Sequence, residues 1–190
     1  MQPRDANQRV YYRVECPVVI SHCVVGDRVP AGKPAGAFFP DEEHFHLLRE
    51  LSKMDHDSSQ LLHLLGEQDR NLGAYLNHVN RKIDTLARHI ATLTPGMSQG
   101  SEQSISLSEG GLSFRCPQPP PRDSVLAVRL TLLPSYVGIA VYGRVVSTDP
   151  TDKPVVAINF EQLPDADRHI IARHVMKVQI TQKRNQGTDD

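Results

Sequence analysis

Residues 104–114, SISLSEGGLSF, are the stretch on which the reading of the fold turns. Ile105 and Leu107, then Leu112 and Phe114, alternate with small or polar residues around Gly110-Gly111. That is the pattern of two half-buried strands joined by a tight turn. Downstream, Pro117, Pro119, Pro120 and Pro121 make a proline-rich turn. Residues 124–133, 136–148 and 155–160 then each read as a short alternating strand bounded by Pro, Gly or Asp. Upstream, residues 10–25 (VYYRVECPVVISHCVV) form a further β-type run. Val14, Cys16, Val18, Ile20 and Val24 share one face of it, with Glu15, Ser21 and Cys23 opposite. Five or so short strands at this spacing predict a small closed barrel. Pro164-Asp165 opens a final helix with Ile170, Ile171, His174, Val175 and Val178 on or near one face. Residues 181–190 are expected to fray as a flexible tail.

Between the first strand and the rest lies a different texture. A loop rich in Pro and Gly (Pro30, Gly32, Pro34, Gly36, Pro40) leads into the 53 residues from 41 to 93, which contain no proline. Asp41, Glu42 and Glu43 open that segment, as the positive end of a helix dipole favours, and Thr94-Pro95-Gly96 closes it. Its second half keeps an unbroken 4-3 spacing: Leu72, Leu76, Val79, Ile83, Leu86, Ile90 and Leu93. With Leu76 at heptad position a, all seven a and d positions are apolar, a coiled-coil pattern. The e column is small throughout (Gly66, Gly73, Asn80, Ala87), which lets helices approach closely and favours more than two strands. Asp55, Ser58 and Asp69 break the register upstream, so a separate first helix is expected, with Asp57 or Ser58 capping the second. The competing reading is an amphipathic helix packed on its own domain.

Composition narrows the function. Twenty-one basic against 22 acidic residues give a net charge of −1, and there is no Trp. A broad DNA- or RNA-binding surface or an aromatic base-stacking platform is therefore not expected. The first twelve residues are polar, and no apolar window reaches the length of a membrane span. Three cysteines without CxxC spacing fit a reducing, cytoplasmic and bacterial setting.

The nine histidines show no shared-ligand spacing. His44 and His46 point roughly 200° apart on a helix, and His169 and His174 are five residues apart. No GxSxG, Walker or GxGxxG pattern occurs, so the reading is no enzyme, no metal site and no cofactor. Two short elements do stand out. Arg9-Val-Tyr-Tyr-Arg13 precedes the first strand, where two guanidinium groups can grip phosphate and stack on a purine. Ser106-Leu-Ser108-Glu-Gly-Gly111 offers hydroxyls and backbone N–H groups at a glycine turn. Taken singly, the first also reads as a solvated arginine pair and the second as an ordinary hairpin.

In this order and on this scaffold, the two elements resemble the signature of the PilZ domain family: RxxxR before the first strand, then [D/N]xSxxG. Arg9 and Arg13 match the first, and Ser108 and Gly111 match the second. Ala157-Ile-Asn-Phe160, followed by a helix after Pro164, is similar to the family's last strand and closing helix. The resemblance implies an α+β fold. A six-stranded antiparallel barrel, split into residues 9–30 and 100–180, would carry a coiled-coil insertion at 41–94 after its first strand and a C-terminal helix. Family members bind cyclic di-GMP and relay that signal to motility, biofilm or virulence machinery. Arg9 and Arg13 would then clamp the phosphates, and Ser106, Ser108 and Gly111 would line a guanine. Ser106 departs from the family's Asp/Asn. Losing that bond costs about 1–3 kcal/mol, or ten- to a hundredfold in affinity.

The insertion resembles that of a minority of PilZ-like proteins assembled as tetramers by heptad-bearing helices, several of which bind nucleotide poorly. The expectation is a cyclic di-GMP receptor, homotetrameric and acting through protein partners. The alternative is an oligomeric adaptor that has lost the ligand.

Overall fold

The computed structural model describes residues 12–39, 42–93, 100–149 and 154–186. Six strands, β1 (Val14–Gly26), β2 (Ser101–Ser108), β3 (Gly111–Arg115), β4 (Val125–Leu132), β5 (Val137–Asp149) and β6 (Val155–Glu161), close into a barrel. Its order is β1-β2-β3-β6-β5-β4, and every neighbouring pair is antiparallel. β1 serves two partners: Val14 to Ile20 pair with β2, and Val18 to Gly26 pair with β4. Pro17 precedes the β4 pairing, where its missing N–H costs no ladder bond on that side. Alternation puts Val14, Cys16, Val18, Ile20, Ile105, Leu107, Leu112 and Phe114 in the core as expected. Val24 departs from its face and is 54% exposed, at the point where β1 bulges between Val24 and Gly26.

All eight residues of β4 are buried, because its outer wall is covered as well. The chain leaving β1 runs back over that wall through a 3-10 turn at Ala35–Phe38. Ala35, Val125, Ala127 and Tyr142 form a second apolar cluster there, with Phe38 and Phe39 packed against it. The Tyr142 hydroxyl donates to the Lys33 carbonyl at 2.7 Å. Arg129, 5% exposed on β4, lies 5.0 Å from the Phe39 ring and 5.5 Å from that of Phe45. Phe45, the anchor of the helical insertion, is 3% exposed. Its ring lies so close to β5 that a Cβ on Gly138 would sit 2.7 Å from it. The insertion is thus seated on the barrel by an aromatic wedge.

The insertion is two helices, α1 (Glu42–Gln68) and α2 (Arg70–Leu93). The expected break at Asp57 or Ser58 does not occur. Ser58 instead bonds back to the Met54 carbonyl at 2.9 Å inside α1, and the side chain of Asp57 lies outside the described residues. Asp69 makes the break, its carboxylate accepting from the N–H groups of Asn71 (2.8 Å) and Leu72 (3.1 Å). An acid at a core heptad position is thereby used as a helix cap. In a straight helix, residues seven apart are about 10 Å apart. Here a Cβ on Gly73 would lie 2.6 Å from Gly66 Cα, so α2 folds back on α1.

The small column allows the close approach expected of it, here between the two helices of one chain. Gly73 is buried and Gly66, Asn80 and Ala87 are half-buried, while Leu72, Ile83 and Leu86 are exposed. Gly66 and Gly73 serve close packing of α2 against α1 of the same chain, while Leu72, Ile83 and Leu86 of the a/d stripe face solvent.

α3 (Asp165–Gln186) closes the barrel with Leu163, Ile171 and Val175. It is longer than expected: residues 181–186 are helical rather than frayed. Lys183 and Arg184 in the last turn suit the negative end of the dipole, and Gln182 donates to the Glu15 carbonyl at 2.9 Å.

Candidate functional site

The barrel's register brings the two sequence elements together, although about ninety residues separate them. Val14 pairs with Leu107, so Arg13 enters β1 one step away, at the level of Ser108. Ser108 pairs with Gly111, Gly111 with Asn159, and Asn159 with Arg144. The next outward row runs Glu15, Ser106, Ser113 and Ala157. Arg13 and Ser106 are half-buried, whereas Ser108 and Gly111 are buried. Arg9 lies outside the described residues.

Two of these residues also hold the barrel. The Ser108 hydroxyl donates to the Gly111 carbonyl at 3.0 Å, across the turn. A Cβ on Gly111 would come 2.1 Å from the Ile158 carbonyl oxygen, so only glycine lets β6 approach there. The hairpin reading of this motif is therefore true of Ser108 and Gly111, whatever else they do. Ser106 has no such role in the hairpin.

Sequence reasoning missed Asn159 and Arg144, which complete the row. Exposed Asn159 sits beside Gly111 and offers an amide. The Arg144 guanidinium is paired with Glu161 (Nη2 to Oε2, 3.0 Å) and donates to the carbonyls of Asp27 (3.1 Å) and Asp123 (2.8 Å). The Glu161 hydrogen bond raises its pKa further, so its charge is fixed in structure rather than offered. Only strand register, which the sequence does not print, would have found either residue.

A thiol–imidazole contact invites a catalytic reading. Cys116 Sγ lies 3.4 Å from His22 Nε2, with the Phe114 ring edge-on to the imidazole. Burial pushes the thiol pKa up and the imidazole pKa down. Both shifts favour the neutral pair, the opposite of an activated thiolate beside imidazolium. Among the described residues, no group of three or more His, Cys, Asp and Glu could hold a metal ion. No helix among them is long and apolar enough to cross a membrane.

The expected assembly stripe lies on α2. Leu72 and Ile83 are each 42% exposed and Leu86 is 64% exposed, with Leu76 and Val79 half-buried. The side chains of Ile90 and Leu93 lie outside the described residues. α1 adds Leu47, Met54, Leu61, Leu64 and Leu65, all exposed. An apolar surface of this extent on one hairpin is unusual for a solitary chain.

Comparison with known proteins gives these features a family. The PilZ domain model matches residues 85–177. A pathogenic protein of Xanthomonas campestris, described as a tetrameric PilZ domain self-assembled via an unusual helical bundle, superposes with a TM-score of 0.54 at 15% identity. That likeness covers 92% of this chain and 91% of the other, so it spans barrel and hairpin together and is one of fold. Escherichia coli YcgR in complex with c-di-GMP matches at a TM-score of 0.40 and 9% identity, over 49% of this chain and 42% of that one. The curated proteins searched gave no match. Residues 85–177, from the end of α2 through most of α3, are thus a PilZ domain, and the whole chain, a closed six-stranded barrel with a helical hairpin inserted after β1, has the fold of a tetrameric PilZ protein.

Proposed function

We propose that this chain is a non-enzymatic signalling protein that takes cyclic di-GMP at the root of β1 and works as a homotetramer through protein partners. The observation that carries the reading is the apposition of Arg13 with Ser106, Ser108 and Gly111 across one wall of the barrel. Arg13, with Arg9 ahead of it, would supply the bidentate donors for phosphate. Ser106 and the glycine turn would meet the guanine edge. Binding would draw the arginine arm against the barrel and so create a new surface. The exposed stripe Leu72, Ile83 and Leu86, with its neighbours on α1, supports assembly of copies through their hairpins. Calorimetric titration with cyclic di-GMP tests the ligand: binding that collapses in Arg13→Ala is expected, and no heat at high micromolar nucleotide would end it.

A second reading is favoured by Ser106, which stands where the family has Asp or Asn, and by the structural duties of Ser108 and Gly111. On that reading the protein is an oligomeric adaptor without nucleotide. It keeps the assembly and loses the nucleotide, so the same titration separates the two.

A further inference from the structure

α3 has two unlike faces. Ile171, His174 and Val175 are buried against the barrel. On the opposite side His169, Arg173, Met176, Lys177, Ile180, Lys183 and Arg184 follow one another at helical spacing, all exposed. Met176 and Ile180 are each 61% exposed, one turn apart, at the centre of that stripe. Charge is segregated along with them. From Arg168 to Gln186 there are five basic residues (Arg168, Arg173, Lys177, Lys183 and Arg184) and no acid. The remainder of the chain holds sixteen basic against twenty-two acidic residues. Four of these cations, Arg173, Lys177, Lys183 and Arg184, lie on the exposed face with Met176 and Ile180, while Arg168 sits at its side and is half-buried.

We propose that the outer face of α3 docks an acidic amphipathic segment of a protein partner, with Met176 and Ile180 as the buried anchors and the surrounding cations as the rim. An apolar centre ringed by charge is the anatomy of a protein–protein hot spot, and the uniform sign of the rim selects an acidic complement. A lipid surface fits less well, because the main apolar face of α3 is consumed by the barrel and the outward face has no aromatic residue to insert. A duplex nucleic acid would have no use for the two aliphatic anchors. The face is also well placed for output. Gln182 holds the far end of α3 to the Glu15 carbonyl, two residues from Arg13, so a change at the root of β1 reaches the helix directly. The proposal rests on the signalling reading above for the existence of a partner, and on nothing else in it.

The test uses the full chain and three probes: a fluorescein-labelled helical peptide of glutamates bearing two leucines four residues apart, phosphatidylserine vesicles, and a short DNA duplex. The peptide is expected to bind in preference to the other two. Its affinity should fall about tenfold or more in Met176→Ser/Ile180→Ser, and again in Lys177→Glu/Lys183→Glu. Both variants alter exposed side chains only, and should keep the parental mass and any cyclic di-GMP response. Tighter binding of vesicles or duplex, or peptide binding indifferent to Met176→Ser/Ile180→Ser, overturns the proposal. So does a change of oligomeric mass in these variants, which would make the face a contact between copies. In the parental chain, peptide binding with no response to cyclic di-GMP would sink the receptor reading and leave this one standing.

Discussion

Gly66 and Gly73 meet backbone to backbone at the corner of the helical hairpin, and the contact is asymmetric. A Cβ on Gly73 would lie 2.6 Å from Gly66 Cα, whereas a Cβ on Gly66 would lie 3.9 Å from Gly73 Cα. Gly73→Ala therefore forces backbone apart and should cost about 1–3 kcal/mol despite the better helix propensity of alanine. Gly66→Ala meets only an ordinary contact and should be neutral, or stabilising by up to about 1 kcal/mol. Urea unfolding of the two variants side by side checks this; equal effects would mean that the corner is not built on this contact.

The exposed stripe of α2 makes its own prediction. Ile83→Asp/Leu86→Asp places charges on residues already 42% and 64% exposed, so the isolated chain should fold unchanged. Light scattering should report a smaller assembly. If the mass stays parental, assembly does not run through this face.

Ser106 offers a gain of function. Ser106→Asp places the family's side chain at an outward, half-buried position. If nucleotide binds at the root of β1, affinity should rise ten- to a hundredfold, about 1–3 kcal/mol. An unchanged titration would mean that this position does not touch ligand.

Two histidines tie stability to pH. Burial lowers the pKa of His22 and of His174 below the ordinary 6.5, with Lys177 adding to the effect at His174. His174 Nε2 is buried without a hydrogen-bond partner among the described residues. The native state therefore prefers both rings neutral. Their contribution is complete above about pH 6.5 and is lost as pH falls through that value towards the lower native ones. The slope is at most about 1.4 kcal/mol per pH unit for each ring. His174→Met should leave stability near pH 7.5 intact and flatten the decline towards pH 5.5. A decline just as steep in that variant would assign it elsewhere.

Phe45 links the hairpin to the barrel. Truncating this 3%-exposed ring to alanine should cost about 3–5 kcal/mol. Because its partners are Gly138 and Arg129, proteolysis should open the chain first just before α1. Cleavage within the barrel instead would refute the wedge.

How far the sequence carried depended on whether a feature was local. Alternation around Gly110-Gly111 and the start of α3 after Pro164 depend on neighbours along the chain, and both were legible. The partner of Gly73 was not. Small residues at heptad spacing invite any close helix, and only the corner at Asp69 decides that the helix is α1 of the same chain. Asp69 itself was visible as a breach of the register, but its use as a cap depends on backbone geometry. Likewise, Asn159 reaches Gly111 through a pairing of β6 with β3 that no local pattern records. The extra length of α3 rests on Gln182 finding Glu15, a contact between opposite ends of the chain.

β1 carries one more consequence. The strand zips to β2 and β4, so Val14 must find Leu107 and Val24 must find Leu126 across the whole helical hairpin. Helices form within microseconds from local contacts, whereas pairings this remote wait on loop closure. The hairpin should therefore be complete while the barrel is still open, holding the two halves of the domain within reach of each other. Of the six barrel strands, the one synthesised earliest would be the last to be seated. Val18→Ala, in the doubly paired stretch, should then hasten unfolding far more than it slows refolding.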